Sequence, residues 1–483
     1  MTITNKTKIV ATVGPASNTK EKLLELIVSG VDVFRLNFSH GTHEEHKKVI
    51  TFIKEINETF NFNIGILQDL QGPKIRLREI AGGSIEVVKG QKIVIAYEKG
   101  EGTQERLTST YNLAKDVKVG EQVLVDDGNL EFRVLEILSP REVLLEVVYG
   151  GIVKPKKGIN LPESNVTTPS LTKKDREDLE FGLANDVDWI ALSFVRTAID
   201  VLELKNIIAE SGKHAKVISK IETPMAVKNI DEIINVTDGL MVARGDLGVE
   251  IPLEQVPLVQ KTLVKKCNQA AKPVIIATQM MESMITNPRP TRAETNDIAN
   301  AVLDGADAVM LSAETASGKY PVKVVQTMTR IISVIEKNYL DIYHKYYEIQ
   351  IDSSKNVKKE RDFKSQAMVA HGCRLGKEVN AKAIICMTKS GYTAFQIATH
   401  RPEANIFVFT RSKILLSMLN LVWGVRGFYY EKVSSMSETF EDLERLLVEA
   451  GHLQKGDIYV STRSQKLSNG KGGTNILKMD MVD

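Results

Sequence analysis

Apolar and polar positions alternate along this chain in two rhythms. Apolar runs at 8–14, 32–37 and 63–69 each end in a turn. Helical patterns follow the first two, over 20–29 and from a Thr42…Glu45 capping box to about residue 59. From Pro73 to about Pro169 the rhythm shortens to Val- and Ile-rich strands parted by turns such as Gly82-Gly83 and Asp126-Asp127-Gly128-Asn129, and only 112–118 hints at a helical turn. This predicts an all-β insertion with a small core of its own. The first rhythm then returns. Thr172 and Asp175 open a helix to about residue 184, and strands are predicted at 187–194, 215–221, 239–243, 273–278 and 307–312. Helices are predicted between them at 201–211, 253–270 and 291–303, the last behind a Thr291…Glu294 capping box.

Three strands before the insertion and five after it make eight βα units. The predicted class is α/β: a (β/α)8 TIM barrel with an all-β lid domain inserted after strand three. An open doubly wound sheet is the alternative. A long helix is expected near 322–347, and the polar run 352–359 reads as a linker or exposed connection. Strands at 383–387, 406–409, 427–430 and 458–460 alternate with helices beyond it, giving a C-terminal α/β domain. The expected domain limits are 1–72 with 169–347 for the barrel, 73–168 for the lid and 348–483 for the third domain.

Composition narrows the class. A chain of 483 residues exceeds a single core. A net charge of +2 gives no pull toward nucleic acid or an anionic membrane, and neither is expected as a partner. The first residues lack the apolar centre of a signal peptide, and no stretch reaches membrane-spanning length. Cys267, Cys373 and Cys386 are odd in number and lack metal-ligand spacing, which fits a reduced, cytoplasmic setting.

Candidate chemistry gathers at strand ends. Lys220 and Glu222 lie two apart and leave one face of their strand, and Asp246 tips a Gly-interrupted turn after 239–243. Two carboxylates beside an ammonium suit Mg²⁺, which keeps positions open for substrate oxygens and water; paired surface salt bridges are the plainer reading. Arg35, Asn37, Ser39, Asp69, Arg244, Gly245, Thr278, Gln279, Ser312 and Glu314 fall at the same carboxyl ends, where barrel active sites are built. Arg35, Lys220, a metal pair and the backbone N–H groups near Gly245 form an anion trap suited to a phosphorylated carboxylate.

Several segments resemble the pyruvate kinase family in order and over nearly the whole chain. They include Phe34-Arg35-Leu36-Asn37-Phe38-Ser39-His40-Gly41, Lys156-Lys157-Gly158-Ile159-Asn160-Leu161-Pro162, Ser219-Lys220-Ile221-Glu222, Val242-Ala243-Arg244-Gly245-Asp246-Leu247-Gly248-Val249-Glu250, Ala277-Thr278-Gln279-Met280 and Met310-Leu311-Ser312-Ala313-Glu314-Thr315. The resemblance implies transfer of a phosphoryl group from phosphoenolpyruvate to ADP. It implies a phosphoenolpyruvate carboxylate at Gly245, Asp246 and Thr278, and a phosphate near Arg35 and Lys220. It places Mg²⁺ or Mn²⁺ on Glu222 and Asp246. ADP, with a second Mg²⁺, is expected near Asn37, Phe38, Ser39, His40, Arg76 and Lys157. Lys220, Arg35, Thr278 and Arg76 are the expected catalytic residues, with Thr278 organising a water that protonates the enolate.

Asn37, Ser39, Asp69 and the Leu70 carbonyl match the family's potassium ligands. Lys74 stands where potassium-requiring members carry Glu, and Leu70, Gln71 and Leu77 match the potassium-independent branch. Lys74 is therefore expected to replace K⁺. The third domain resembles the family's regulatory domain. Thr388-Lys389-Ser390-Gly391-Tyr392-Thr393 is a strand-to-helix turn suited to phosphate, with 470–475 able to close over it, so a sugar-phosphate or nucleotide effector is expected there. Tyr392 departs from the Arg of fructose-bisphosphate-activated members. A homotetramer is implied by the family. His40 is expected to be structural or near the nucleotide, Cys267 core, and Met280, Met281 and Met284 packing residues. Two readings compete: a barrel aldolase using Lys220 as a Schiff-base amine, and a catalytically dead relative that senses through its third domain.

Overall fold

The computed structural model describes residues 5–339, 357–432, 436–464 and 473–483. Eight parallel strands close into a barrel: β1 (Lys8–Thr12), β2 (Val33–Asn37), β3 (Gly65–Asp69), β4 (Trp189–Leu192), β5 (Lys216–Ile221), β6 (Gly239–Ala243), β7 (Val274–Ala277) and β8 (Ala308–Leu311). Closure rules out the doubly wound sheet. Helices pack outside, both expected capping boxes form, at Thr42 and Thr291, and Thr172 with Asp175 makes another at the helix start expected there.

Alternation along the strands sorts the barrel interior by height. Val10, Val33, Leu67, Ala191, Ile218, Met241 and Met310 point inward and form one apolar cluster. Two residues further along six of these strands stand Thr12, Arg35, Asp69, Ser193, Lys220 and Ser312. The same face is therefore greasy below and polar at the carboxyl rim.

The barrel base is closed by the third domain. Met418 and Leu421 join the barrel's interior cluster, and Trp189 Nε1 donates to the Met418 carbonyl at 3.3 Å. Arg401, fully buried, donates to Asp307 Oδ2 at 3.1 Å, to the Gly305 carbonyl at 2.6 Å and to Asn268 Oδ1 at 3.0 Å, beneath the Trp423 ring.

Residues Ile75 to Leu161 build a separate β core around a six-stranded sheet and a two-stranded one. The third domain holds a five-stranded sheet with apolar clusters that include Val369, Ile384 and Val425 on one side and Phe407, Leu443 and Val482 on another. Its last strand, Thr474–Met481, is antiparallel and was not foreseen.

Other boundaries move. Residues expected to form a Gly-interrupted turn are instead a helix, Arg244–Glu250. Buried Leu247 anchors it, and Gly245 lets it approach β7, since a Cβ there would stand 3.3 Å from Thr278 Oγ1. Short helices Pro224–Lys228 and Ile230–Val236 were also missed, although Thr223 and Pro224 give a usable start signal. The 253–270 helix begins as a 3-10 turn, Leu253–Gln255, before Val256–Gln269. The helix expected near 322–347 is Pro321–Asn338, and residues 340–347 lie outside the described ones. Of the polar run, 352–356 lie outside the described residues and 357–359 open the helix Val357–Glu378.

Candidate active site

The rim of the barrel carries a buried charge network. Lys220 Nζ lies 2.7 Å from Ser193 Oγ, 3.0 Å from Glu222 Oε1 and 3.3 Å from Asp69 Oδ1. Arg35 Nε donates to Asp69 Oδ2 at 2.7 Å, and its Nη1 donates to Thr12 Oγ1 at 3.0 Å. Asp69 and Glu222 are each 1% exposed. Burial works against the Lys220 ammonium, yet Asp69 and Glu222 outweigh it and hold the amine above the ordinary lysine range. A Schiff-base lysine needs the opposite, so this geometry disfavours the aldolase reading. For Asp69, burial favours the neutral acid, but Lys220 and Arg35 prevail and keep it below the usual carboxylate range.

Glu222 is held from behind. Phe194, in the left-handed region at φ 52°, donates its N–H to Glu222 Oε2 at 2.7 Å. Burial raises the Glu222 carboxyl, Lys220 opposes that, and Asp246 reinforces it. Asp246 opens the helix Arg244–Glu250 and pairs with Lys74 Nζ at 3.2 Å. Two carboxylates that repel one another, each now answered by a lysine, make a donor set that fits a divalent cation completed by substrate oxygens and water.

Beside them, Thr278 takes φ +69° and Gln279 φ +55°, strained values for side-chain-bearing residues. This turn lets Thr278 Oγ1 accept the Gly245 N–H at 2.7 Å while donating to the Ala277 carbonyl at 2.6 Å. Arg244 does not face the rim network. It binds Asp297 at 2.6 Å and the Thr278 carbonyl at 2.8 Å, and so braces the turn. Glu314 braces the next loop by accepting the N–H groups of Ser312 and Met281.

The other expected residues are more dispersed. Asn37 Oδ1 accepts the Ser39 N–H at 3.1 Å, and His40 is exposed. The Phe38 ring is buried and stacks on His46, so only its backbone faces outward chemistry. Arg76 and Lys157 sit on the β insertion, where Arg76 Nη1 donates to the Lys156 carbonyl and Lys157 pairs with Asp126 at 2.6 Å. Lys74 reaches Asp246, while Asp69 is paired with Arg35 and Lys220 instead. In the third domain Gly391, at φ +82°, donates its N–H to Thr388 Oγ1 at 3.0 Å, just before the helix Tyr392–Thr399. Lys389 and Ser390 are exposed, and Thr393 Oγ1 meets Thr474 Oγ1 at 2.8 Å. Residues 470–472 of the expected cover lie outside the described ones. Cys267 is fully buried, and burial raises its thiol beyond reactive range.

Sequence reasoning missed Thr12, Ser193 and Glu250. The first two obey the strand-end rule that found the others, applied to strands one and four. Glu250 ends the helix that carries Asp246, and its Oε1 accepts from Asn160 Nδ2 of the insertion at 2.7 Å. Burial, with Asp246 and Glu222 nearby, raises its pKa to about 7. The folded state therefore binds this proton more tightly than the unfolded chain. Its contribution to stability is lost as pH rises from the ordinary carboxylate range through 7. In metal-free protein, Glu250→Gln is expected to flatten the decline in unfolding free energy from urea titration between pH 5 and 8, by up to roughly 3 kcal/mol at the alkaline end. An unchanged pH dependence would count against this account of Glu250.

Comparison with known proteins agrees with the geometry. Residues 4–325 match the family described as pyruvate kinase, barrel domain, and residues 366–479 match pyruvate kinase, alpha/beta domain. A curated pyruvate kinase of Staphylococcus epidermidis is 43% identical over 479 residues, covering 99% of this chain and 80% of that one. One from Geobacillus stearothermophilus is 42% identical over 482 residues with the same coverage. A crystal structure of a pyruvate kinase from Cryptosporidium parvum aligns with a TM-score of 0.90 at 36% identity, covering 99% of this chain and 97% of that one.

Proposed function

Because the chain belongs to the pyruvate kinase family, we propose how its own residues carry out that family's reaction. The reaction moves the phosphoryl group of phosphoenolpyruvate to ADP, giving pyruvate and ATP, in the last step of glycolysis. The observation that carries the assignment is the meeting, on one barrel rim, of Lys220 with Glu222 and Asp69 and of Asp246 with the Gly245–Thr278 turn.

Phosphoenolpyruvate binds with its carboxylate toward the Gly245 and Asp246 backbone and Thr278, and its phosphate toward Arg35 and Lys220. Mg²⁺, the family's metal, would be held by Glu222 and Asp246, where it neutralises the negative charge of the substrate oxygens. ADP lies under the insertion, near Asn37, Phe38, Ser39, His40, Arg76 and Lys157. A β-phosphate oxygen of ADP attacks the phosphorus, the bond to the enol oxygen breaks, and Lys220 and Arg35 spread the charge in flight. The enolate then takes a proton at its methylene carbon. The Thr278 hydroxyl proton is engaged by the Ala277 carbonyl, which suits Thr278 to ordering a water rather than donating directly. Closure of the insertion as a lid excludes water from the transfer.

The domain limits 1–72 with 169–347, 73–168 and 348–483 are supported by the separate cores around Ile9–Ile332, Ile75–Leu161 and Val369–Val482. An effector phosphate at Thr388–Thr393 is supported by the Gly391 turn, and a homotetramer by the family. A cytoplasmic setting is supported by three free cysteines and bacterial relatives; among the described residues no helix is long and apolar enough to cross a membrane.

Potassium is not required. Lys74 brings a fixed positive charge to Asp246. Three of the four acceptors matching the family's potassium ligands already have donors on the chain: Ser39 N–H for Asn37, Ser193 for Leu70, and Arg35 and Lys220 for Asp69. Turnover with phosphoenolpyruvate, ADP and Mg²⁺, read through lactate dehydrogenase at constant ionic strength, is expected to change less than about twofold on adding K⁺. Activation of about tenfold or more would reject the role of Lys74, and no turnover at all would reject the assignment.

A further inference from the structure

Lys220 has three N–H donors and three acceptors around it: Asp69, Glu222 and Ser193. Two are carboxylates and one is neutral. The neutral contact is the shortest, at 2.7 Å. Ser193 has a single proton, and the Leu70 carbonyl lies 2.7 Å away to receive it, nearer than Asp69 Oδ1 at 3.5 Å. With its proton committed to Leu70, the Ser193 oxygen turns lone pairs toward Lys220. Ser193 is itself 2% exposed, and it is wedged in place. Gly72, at φ +71°, lies so close that a Cβ there would stand 2.8 Å from the Ser193 Cβ. The result is a fixed relay, Lys220 to Ser193 to Leu70, running from the rim network to the start of the insertion.

The three anchors have different fates during turnover. Glu222 is also the carboxylate expected to hold the metal, so its bond to Lys220 is the one exchanged when metal and substrate arrive. Asp69 shares its charge with Arg35. Ser193 holds the ammonium without adding negative charge that would compete with the phosphoryl oxygens. We infer that Ser193 is a positioning residue for phosphoryl transfer: it keeps the Lys220 ammonium aimed at the transferring group once Glu222 has turned to the metal. This rests on the proposed role of Lys220.

The test is steady-state kinetics on the full chain with Ser193→Ala, Ser193→Cys and Lys220→Met, singly and combined. Misaiming one charged group costs rate rather than affinity. Ser193→Ala is therefore expected to lower kcat by roughly 10- to 100-fold, with KM for phosphoenolpyruvate and ADP held within about threefold. Ser193→Cys keeps the volume with a weaker acceptor and should fall between, and it carries the test if the alanine variant does not fold. In the Lys220→Met background, Ser193→Ala should cost less than about twofold, because there is no ammonium left to aim. A purely structural serine would impose its full factor in both backgrounds, and that result would overturn the inference. So would native-like kcat in Ser193→Ala while Lys220→Met is crippled. Native-like kcat in Lys220→Met would instead sink the underlying reading of Lys220.

Discussion

Lys220→Ala is expected to reduce kcat by about a thousandfold or more, the scale lost when a preorganised charge is removed from a water-poor site. Among the described residues the amine is the one ammonium in contact with both Asp69 and Glu222; both carboxylates are buried and Lys220 is 12% exposed. Arg35 is bound to the other oxygen of Asp69 and to Thr12, not to Glu222. Removal has a second effect. Without Lys220, burial and Asp246 push the Glu222 carboxyl up with less opposition, which favours its neutral form over the carboxylate that would bind metal. Mn²⁺ binding, followed by titration calorimetry, should weaken in the variant and recover as pH rises. Coupled-assay turnover within tenfold of the native protein, or Mn²⁺ binding with the native pH dependence, would remove Lys220 from the center of the mechanism.

The second large effect lies at the far end of the barrel and concerns stability. Arg401→Ala is expected to destabilise the protein by about 3–5 kcal/mol, because it strands a buried partner rather than deleting a surface pair. The two side chains are 2% and 4% exposed. Among the described residues, Asp307's side chain would keep the N–H groups of Val274 and Trp423 for compensation. Asn268 Oδ1 and the Gly305 carbonyl would lose a donor as well. Urea unfolding followed by tryptophan fluorescence is well placed to see this, since Trp189 and Trp423 both lie against that junction. The curve should shift to lower urea and split, with the third domain leaving first. Replacing both Arg401 and Asp307 by apolar residues should cost less than either single change. A midpoint equal to that of the native chain would mean that the junction is held by apolar contact alone.

The fold was legible because its signals are local. Each barrel strand is an apolar run of four to six residues, and Thr42, Thr172 and Thr291 mark helix starts by a spacing that backbone hydrogen bonding dictates. The rim residues were legible for a related reason: a charged side chain at the end of such a run has few uses in a core. Thr12 and Ser193 escaped because a small hydroxyl at a strand end is unremarkable in a sequence; its worth comes from what it touches. The helix at 244–250 was misread because Gly245 and Gly248 look like breakers, whereas a buried Leu247 and close approach to Thr278 override propensity. The partnership of Arg401 with Asp307 spans two domains, and no periodicity announces it. Lys74 was expected to stand in for K⁺ among Asn37, Ser39, Asp69 and Leu70; its contact with Asp246 was not expected, since the path of the insertion sets where that side chain lands.

The intrusion of Met418 and Leu421 into the barrel's own apolar interior bears on how this protein can be taken apart. A barrel that borrows its stopper from a neighbour is not a free-standing module. Cutting the chain ahead of the third domain would uncover Trp189 and the lower ring of aliphatic side chains. The severed fragment would then stick to itself, however intact its catalytic mouth remained. Shuffling this catalytic unit onto another regulatory partner thus requires a matching plug as well as a linker.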